Sequence, residues 1–310
     1  MGEKIVINEV GLRDGLQIQP KFVPTAGKLE LCNALIDAGV RAFEATSFVS
    51  PKAVPQMADA ADVWAGLPQD KGVDYSALVL NEKGYERARD AGAKVFAVAL
   101  ASTETMNQRN INMGLEQATK SFAGIIARAK KEGFKTRAYV STALGCPYEG
   151  EVPVKVVLDL AGKMMAAGAD RLAIADTIGA GNPKLCETIV KAVVKEHGAE
   201  RLGVHFHDTR AMAMTMSWIS LQEGVREFDS SIGGLGGCPF APGARGNVAT
   251  EDLAFMFNDS GYESGIDVGK LRRAVMVAER LTGLKLGGRI TDWWVSQERK
   301  AAAKAALAAE

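Results

Sequence analysis

The chain has 310 residues, 47% of them hydrophobic, and 37 lysines and arginines stand against 37 aspartates and glutamates. A formal net charge of zero gives no field for nucleic acid or anionic lipid, and no apolar run approaches the ~20 residues of a membrane helix. The amino end, MGEKIVINEV, lacks the apolar region of a secretory leader, and Val6 stands where a myristoylation signal needs Ser or Thr. Cys32, Cys146, Cys186 and Cys238 form no CxxC pair, so free thiols and a cytoplasmic location are expected.

Apolar runs rich in β-branched residues predict strands at Ile5–Val10, Ala42–Phe48, Tyr75–Leu80 and Val95–Ala101. Four more follow at Thr136–Thr142, Arg171–Asp176, Gly203–His207 and Glu227–Ile232. Helical periodicity fills the intervals. Leu29, Leu31, Ala34, Leu35 and Ala38 make one apolar stripe closed by Gly39, and Val156, Leu158, Leu160, Met164 and Met165 lie in another closed by Gly168. A strand–helix–glycine unit repeated at about 25 to 40 residues is a βαβ repeat, which implies parallel strands. Eight units predict a (β/α)8 TIM barrel, with residues 1–268 as the catalytic domain. Beyond it, an amphipathic helix at Lys270–Leu284 and an alanine-rich tail at Ala301–Glu310 predict a helical extension, 269–310. This extension is expected to cap the barrel or mediate assembly. A doubly wound sheet would want G-x-G-x-x-G after the first strand, where the chain has Gly11-Leu12-Arg13-Asp14-Gly15.

Polar residues gather at the carboxyl ends of the predicted strands, which in a barrel converge on one mouth. His205 and His207 are two of only three histidines, and their i, i+2 spacing on a strand turns both imidazoles to one face. Two converging neutral imidazoles suit a divalent cation; two core histidines bonded to backbone are the alternative. Asp14, after the first strand, is the natural further ligand or else a turn aspartate. An oxygen, two nitrogens and waters fit octahedral Mg2+ or Mn2+ better than tetrahedral zinc. Arg13 is a candidate for stabilising an enolate oxygen, or else forms a surface ion pair. Glu44 is a carboxylate inside an apolar strand and needs a partner, which Arg13 would supply. The glycine-rich run Gly233–Gly243 holds Cys238, a thiol that a closing loop can deliver as an acid. Asn247 is an N-cap, an oxygen ligand or both.

Together these segments resemble the 3-hydroxy-3-methylglutaryl-CoA lyase family, within the barrel metallolyases that include isopropylmalate and homocitrate synthases. The matching blocks are Glu9–Gln17, Ser47–Lys52, Val54–Met57, Ala143–Gly150, Asp176–Gly179, His205–Thr209 and Gly233–Asp252, in order from near residue 5 to about 260. The resemblance implies that Asp14, His205, His207 and Asn247 hold the metal. It implies that Arg13 stabilises the enolate beside Glu44, that Asp176 is an active-site acid and that Cys238 transfers a proton. Asn110-Ile111-Asn112 matches a segment near the CoA-binding side. The implied reaction is retro-aldol cleavage of an acyl-CoA substrate, with Asp14 or His207 as base, to acetoacetate and acetyl-CoA in a homo-oligomer, dimer or tetramer.

Four positions depart from the family pattern. Leu12 stands where relatives usually have Pro, Ile18-Gln19 replaces Asn-Glu, Arg210-Ala211-Met212 replaces Tyr-Gly-Gln or similar, and Arg245 replaces Ser before Gly246-Asn247. None removes a ligand, and all lie near the expected mouth. Arg210 either meets a substrate carboxylate or turns outward. The competing functions are a lyase for citramalyl-CoA or a longer 3-alkyl-3-hydroxyglutaryl-CoA, a condensing synthase, and a non-catalytic barrel scaffold.

Overall fold

The computed structural model describes residues 2–237 and 245–309. Eight parallel strands close a barrel in chain order: β1 (Val6–Glu9), β2 (Ala42–Ser47), β3 (Asp74–Leu78), β4 (Val95–Ala101), β5 (Lys135–Ser141), β6 (Arg171–Asp176), β7 (Leu202–Phe206) and β8 (Glu227–Ser230). Closure is by β1 against β8, with Val6 opposite Glu227 and Asn8 opposite Asp229. This is the TIM barrel expected from the sequence, and each strand falls within two residues of its predicted bounds.

The outer ring forms where the sequence supplies caps. Helices α1 (Thr25–Asp37), α2 (Ala60–Gly66), α3 (Glu82–Asp90), α4 (Glu104–Ile111) and α5 (Leu115–Lys131) follow the first four strands. Then come α6 (Val154–Ala167), α7 (Pro183–His197), α8 (Ala213–Gln222) and α9 (Thr250–Asp259). Asn81 accepts from Gly84 N at the start of α3, and Asn182 accepts from Leu185 N ahead of Pro183 in α7. Alternate strand residues drive Phe43, Phe96, Val98, Val140, Leu172 and Ile174 into one continuous core beneath these helices.

Two more helices follow the barrel, α10 (Val268–Thr282) and α11 (Arg289–Ala309), and the predicted alanine tail is the last part of α11. α10 packs on α1, where Arg280 pairs with Glu30, and α11 meets α9 through Phe255 and Trp293. Among the described residues no helix is long and apolar enough to cross a membrane.

The mouth is anchored by a buried acid. Glu9, at the end of β1, accepts hydrogen bonds from Gly11 N, Ile232 N and the Thr250 hydroxyl. Burial raises its pKa to about 7 against the pull of these donors. An acid protonated more readily when folded stabilises the fold fully below its unfolded pKa of 4.5 and loses that contribution as pH rises through 7. The span corresponds to ~3 kcal/mol. Thermal denaturation of wild type and Glu9→Gln from pH 4 to 8 should therefore show a wild-type advantage that shrinks between pH 4.5 and 7. A pH-independent difference would contradict this.

Candidate metal and active site

The chain leaves β1 through one π-helical turn, Gly11–Gly15, which carries Arg13 and Asp14. No simple sequence pattern marks such a turn, and the close packing around it demands glycine. A Cβ on Gly11 would lie 2.5 Å from Glu9 Oε1, and one on Gly15 would lie 2.9 Å from Ser231 Oγ. The wide turn drops Arg13 into the barrel, where it is buried and ion-pairs with Glu44 through Nε and with Asp14 through Nη1 at 2.5 Å. Glu44 sits at the register shift of β2, a bulge that re-aims the strand's side chains near the mouth. The surface-pair alternative for Arg13 is therefore not what the structure contains.

Asp14, His205 and His207 converge, with one ligand atom from each lying within 4.8 Å of the others. Asp14 Oδ2 is 3.6 Å from His207 Nε2, and the two imidazole centroids are 5.2 Å apart. Asn247 joins them, its amide nitrogen donating to Asp14 Oδ2 at 2.8 Å and to Leu235 O at 3.3 Å. It is not an N-cap. Helix α9 begins at Thr250, and Asn247 instead forms an isolated antiparallel bridge with His207, just past the end of β7.

Burial pushes the Asp14 carboxyl upward, but Arg13, His207 and His205 outweigh this and hold it well below the usual carboxylate range. For Arg13, burial alone would lower the pKa, and Glu44 and Asp14 reverse the shift. The pair is thus ionised. His207 Nδ1 is buried without a hydrogen-bond partner among the described residues. His207 thus turns Nε2 toward an ionised carboxylate and leaves Nδ1 without a partner, which suits a divalent cation and is not the pattern of two histidines satisfied by backbone.

Of the other expected residues, Asp176 adjoins the cluster, its carbonyl accepting from His207 N at 3.2 Å, Asn110, Asn112 and Arg210 lie outside the cluster, and Cys238 lies outside the described residues. Asp176 ends β6, but its two oxygens accept from Ala180 N at 2.9 Å and Gly181 N at 2.8 Å, closing its own loop. Burial raises its pKa against those donors. Asn110 is exposed near the end of α4, and Asn112 caps that helix in the left-handed conformation with φ 54°, which asparagine tolerates well. Cys238 lies outside the described residues. Arg210 is exposed, its Nη1 donating to Gly179 O at 3.3 Å.

Sequence reading missed Asp229, whose Oδ2 lies 3.1 Å from His205 Nδ1, and the Arg137 and Tyr139 side chains that bond it from across the barrel. The available signal was a charged residue inside a barrel strand, the same one that marked Glu44. Burial would raise the Asp229 pKa, and Arg137, His205 and Asn8 reverse this and hold it low.

The chain matches the HMGL-like family model over residues 4–277. It belongs to the HMGL-like family. A mouse relative named mitochondrial hydroxymethylglutaryl-CoA lyase is 44% identical over 88% of this chain and 84% of its own. A Pseudomonas aeruginosa relative named 3-hydroxy-3-isohexenylglutaryl-CoA/hydroxymethylglutaryl-CoA lyase is 42% identical over 87% of this chain and 90% of its own. The fold also matches the structure of an HMG-CoA lyase from Acinetobacter baumannii in complex with coenzyme A and 3-methylmalate. That match has a TM-score of 0.88 and 36% identity, covering 93% of this chain and 94% of that one.

In this HMGL-like barrel the Asp14–His205–His207 cluster makes a direct prediction. Mn2+ titrated into metal-stripped protein should bind wild type, and Asp14→Ala or His205→Ala should weaken binding at least tenfold while the circular dichroism spectrum is kept. Unchanged affinity in both variants would place the metal elsewhere.

Proposed function

We propose that this chain cleaves 3-hydroxy-3-methylglutaryl-CoA to acetoacetate and acetyl-CoA by a retro-aldol, Claisen-type reaction that requires Mg2+ or Mn2+. The observation that carries this reading is the buried, doubly paired Arg13 beside the Asp14–His205–His207 cluster. Asp14, His205, His207 and Asn247 would hold the ion, which supplies Lewis acidity that lowers the pKa of the substrate's tertiary hydroxyl.

Asp14 or His207 takes the hydroxyl proton. The C–C electron pair then passes to the thioester fragment as an enolate, and the other fragment departs as the ketone. Arg13 meets the enolate oxygen in a site shielded from water, where a fixed cation stabilises developing charge most strongly. Glu44 fixes the guanidinium. Cys238, which the resemblance assigns to proton transfer, returns a proton to the enolate carbon and completes acetyl-CoA. Asn110 and Asn112, exposed near the end of α4, would meet the CoA portion, as the resemblance implies. A second reading, a lyase for longer 3-alkyl-3-hydroxyglutaryl-CoA thioesters, is favoured by the printed name of the Pseudomonas aeruginosa relative.

The assembly is read as a homo-oligomer, supported by the half-exposed Trp293 and Phe255 at the α9–α11 contact. Residues 269–310 are read as an extension of the one catalytic domain. The cytoplasmic location rests on the free thiols Cys32, Cys146 and Cys186.

Acetyl-CoA release from a panel of 3-hydroxy acyl-CoA thioesters tests the reading. The 3-methylglutaryl substrate should be cleaved with Mg2+ or Mn2+ and not after chelation. Full activity of metal-free enzyme would overturn the mechanism. Arg13→Met should lower kcat by ~10² or more with a smaller change in KM, since the charge it meets develops in the transition state.

Arg210 turns to the Gly179 carbonyl rather than into the cluster. Arg210→Tyr should therefore change kcat/KM alike across the panel. A tenfold swing in the ratio between two substrates would show that it selects among them.

A further inference from the structure

We infer that Asp229 is the positioning residue for His205, fixing which imidazole nitrogen is offered to the metal. The inference rests on the metal reading of the Asp14–His205–His207 cluster and assigns a task to a residue outside it. His205 and Asp229 are register partners on the neighbouring strands β7 and β8, so their side chains stand side by side on the inner face. Asp229 is buried, and each of its oxygens is met by two groups. Oδ1 accepts from Arg137 Nη1 at 2.8 Å and Asn8 Nδ2 at 2.9 Å. Oδ2 accepts from the Tyr139 hydroxyl at 2.7 Å and faces His205 Nδ1 at 3.1 Å.

Three of these groups have fixed roles in the arrangement. The guanidinium and the amide nitrogen can only donate. The Tyr139 oxygen already accepts from Arg137 Nη1 at 2.5 Å and gives its own proton to Asp229. A carboxylate so surrounded has no proton to offer, so Nδ1 of His205 must carry one. The lone pair is then left on Nε2, the only atom with which this imidazole can bind a cation. A ligating histidine that donates its other N–H to a carboxylate is fixed in both tautomer and ring orientation. Tyr139 adds a second restraint, its ring standing edge-on to His205 at 6.0 Å and 89°.

Asp229 is itself held from three directions: β1 through Asn8, its own β8, and the opposite wall through Arg137 and Tyr139 of β5. Below it, Arg137 Nε lies 3.0 Å from Glu227 Oε1, so one guanidinium is held between two acids. An Asn at 229 would keep the shape but present an N–H to Nδ1, which favours the opposite tautomer and places a proton on Nε2.

The test uses the full-length protein with 15N-labelled histidine. The chain has only three histidines, so each ring can be assigned. In metal-stripped wild type, long-range 1H–15N spectra should show His205 protonated at Nδ1. A proton on Nε2 would overturn the inference without recourse to any variant. Asp229→Asn should move the proton to Nε2 and weaken Mn2+ binding by ~10- to 100-fold, as loss of such partners typically does. Chelation-independent thermal melts should remain cooperative. Equal Mn2+ affinity in wild type and Asp229→Asn would overturn the positioning role alone, whereas no Mn2+ binding by wild type would overturn the metal reading with it. Should Asp229→Asn fail to fold, Tyr139→Phe removes one restraint and should give a smaller loss of Mn2+ affinity in the same titration. Wild-type affinity in Tyr139→Phe would then count against the inference.

Discussion

The Arg13 guanidinium, closed off from water between Glu44 and Asp14, is the contact on which the mouth of this barrel depends. Taking a carboxylate out of water costs several kcal/mol unless a partner of opposite charge is already in place. Arg13 serves two carboxylates at once, and its loss would leave Glu44 buried without its ion pair and Asp14 with only Asn247 and the imidazoles. The π-helical turn exists to make that geometry. An ordinary α-helical turn advances its side chains by a different angle, and Arg13 and Asp14 would no longer both face inward. Gly11 and Gly15 permit the turn to lie against Glu9 and Ser231, so the backbone beneath the site is as constrained as the side chains above it.

The same accounting of charge extends down the barrel axis. Among the described residues, Arg13, Arg137 and Arg171 face Glu44, Asp14, Asp229 and Glu227 through direct ion pairs. Arg13 is shared between Glu44 and Asp14, and Asp14 meets two imidazoles rather than a second arginine, so a divalent cation there would add positive charge where one guanidinium already serves two carboxylates.

Much of this was legible in the sequence because barrel strands write their own bounds. Val95–Ala101 and Arg171–Asp176 are runs of small and β-branched residues ended by a change of polarity, and the strands stop where the runs do. The His205/His207 pair was readable because strand alternation is local and needs no knowledge of neighbours. The pairing of Glu44 with Arg13 was readable because a carboxylate in an apolar strand has few alternatives. Asp229 carried the same signal but lies 24 residues from His205, and their adjacency is a matter of register between β7 and β8, which no local pattern states. Asn247 was ambiguous for a related reason. A polar residue shortly before a helix reads as a cap, and only the bridge to His207 shows that Val248 and Ala249 still intervene before the helix begins.

The departures from the family pattern divide by burial, and the division bears on substrate choice. Leu12 is fully buried within the main core, so its difference is absorbed by packing and cannot touch a ligand directly. Ile18 is 42% exposed and lies so close to Gly237 that a Cβ there would sit 2.7 Å from Ile18 Cδ1. Arg245 is exposed on the far side of the glycine run and donates to Gly287 O, which itself follows Leu286 at the entrance to α11. Ile18 and Arg245 thus flank the same loop from opposite ends, one through an apolar contact and the other through a tie to the C-terminal extension. Arg210 is exposed and bonded to the loop after β6. Of these residues only the three exposed ones, Ile18, Arg210 and Arg245, are open to contact with a substrate. Of the departures, Leu12 is absorbed into the core and Ile18, Arg210 and Arg245 are exposed, whereas Arg13 and Glu44 of the charged cluster are buried and paired.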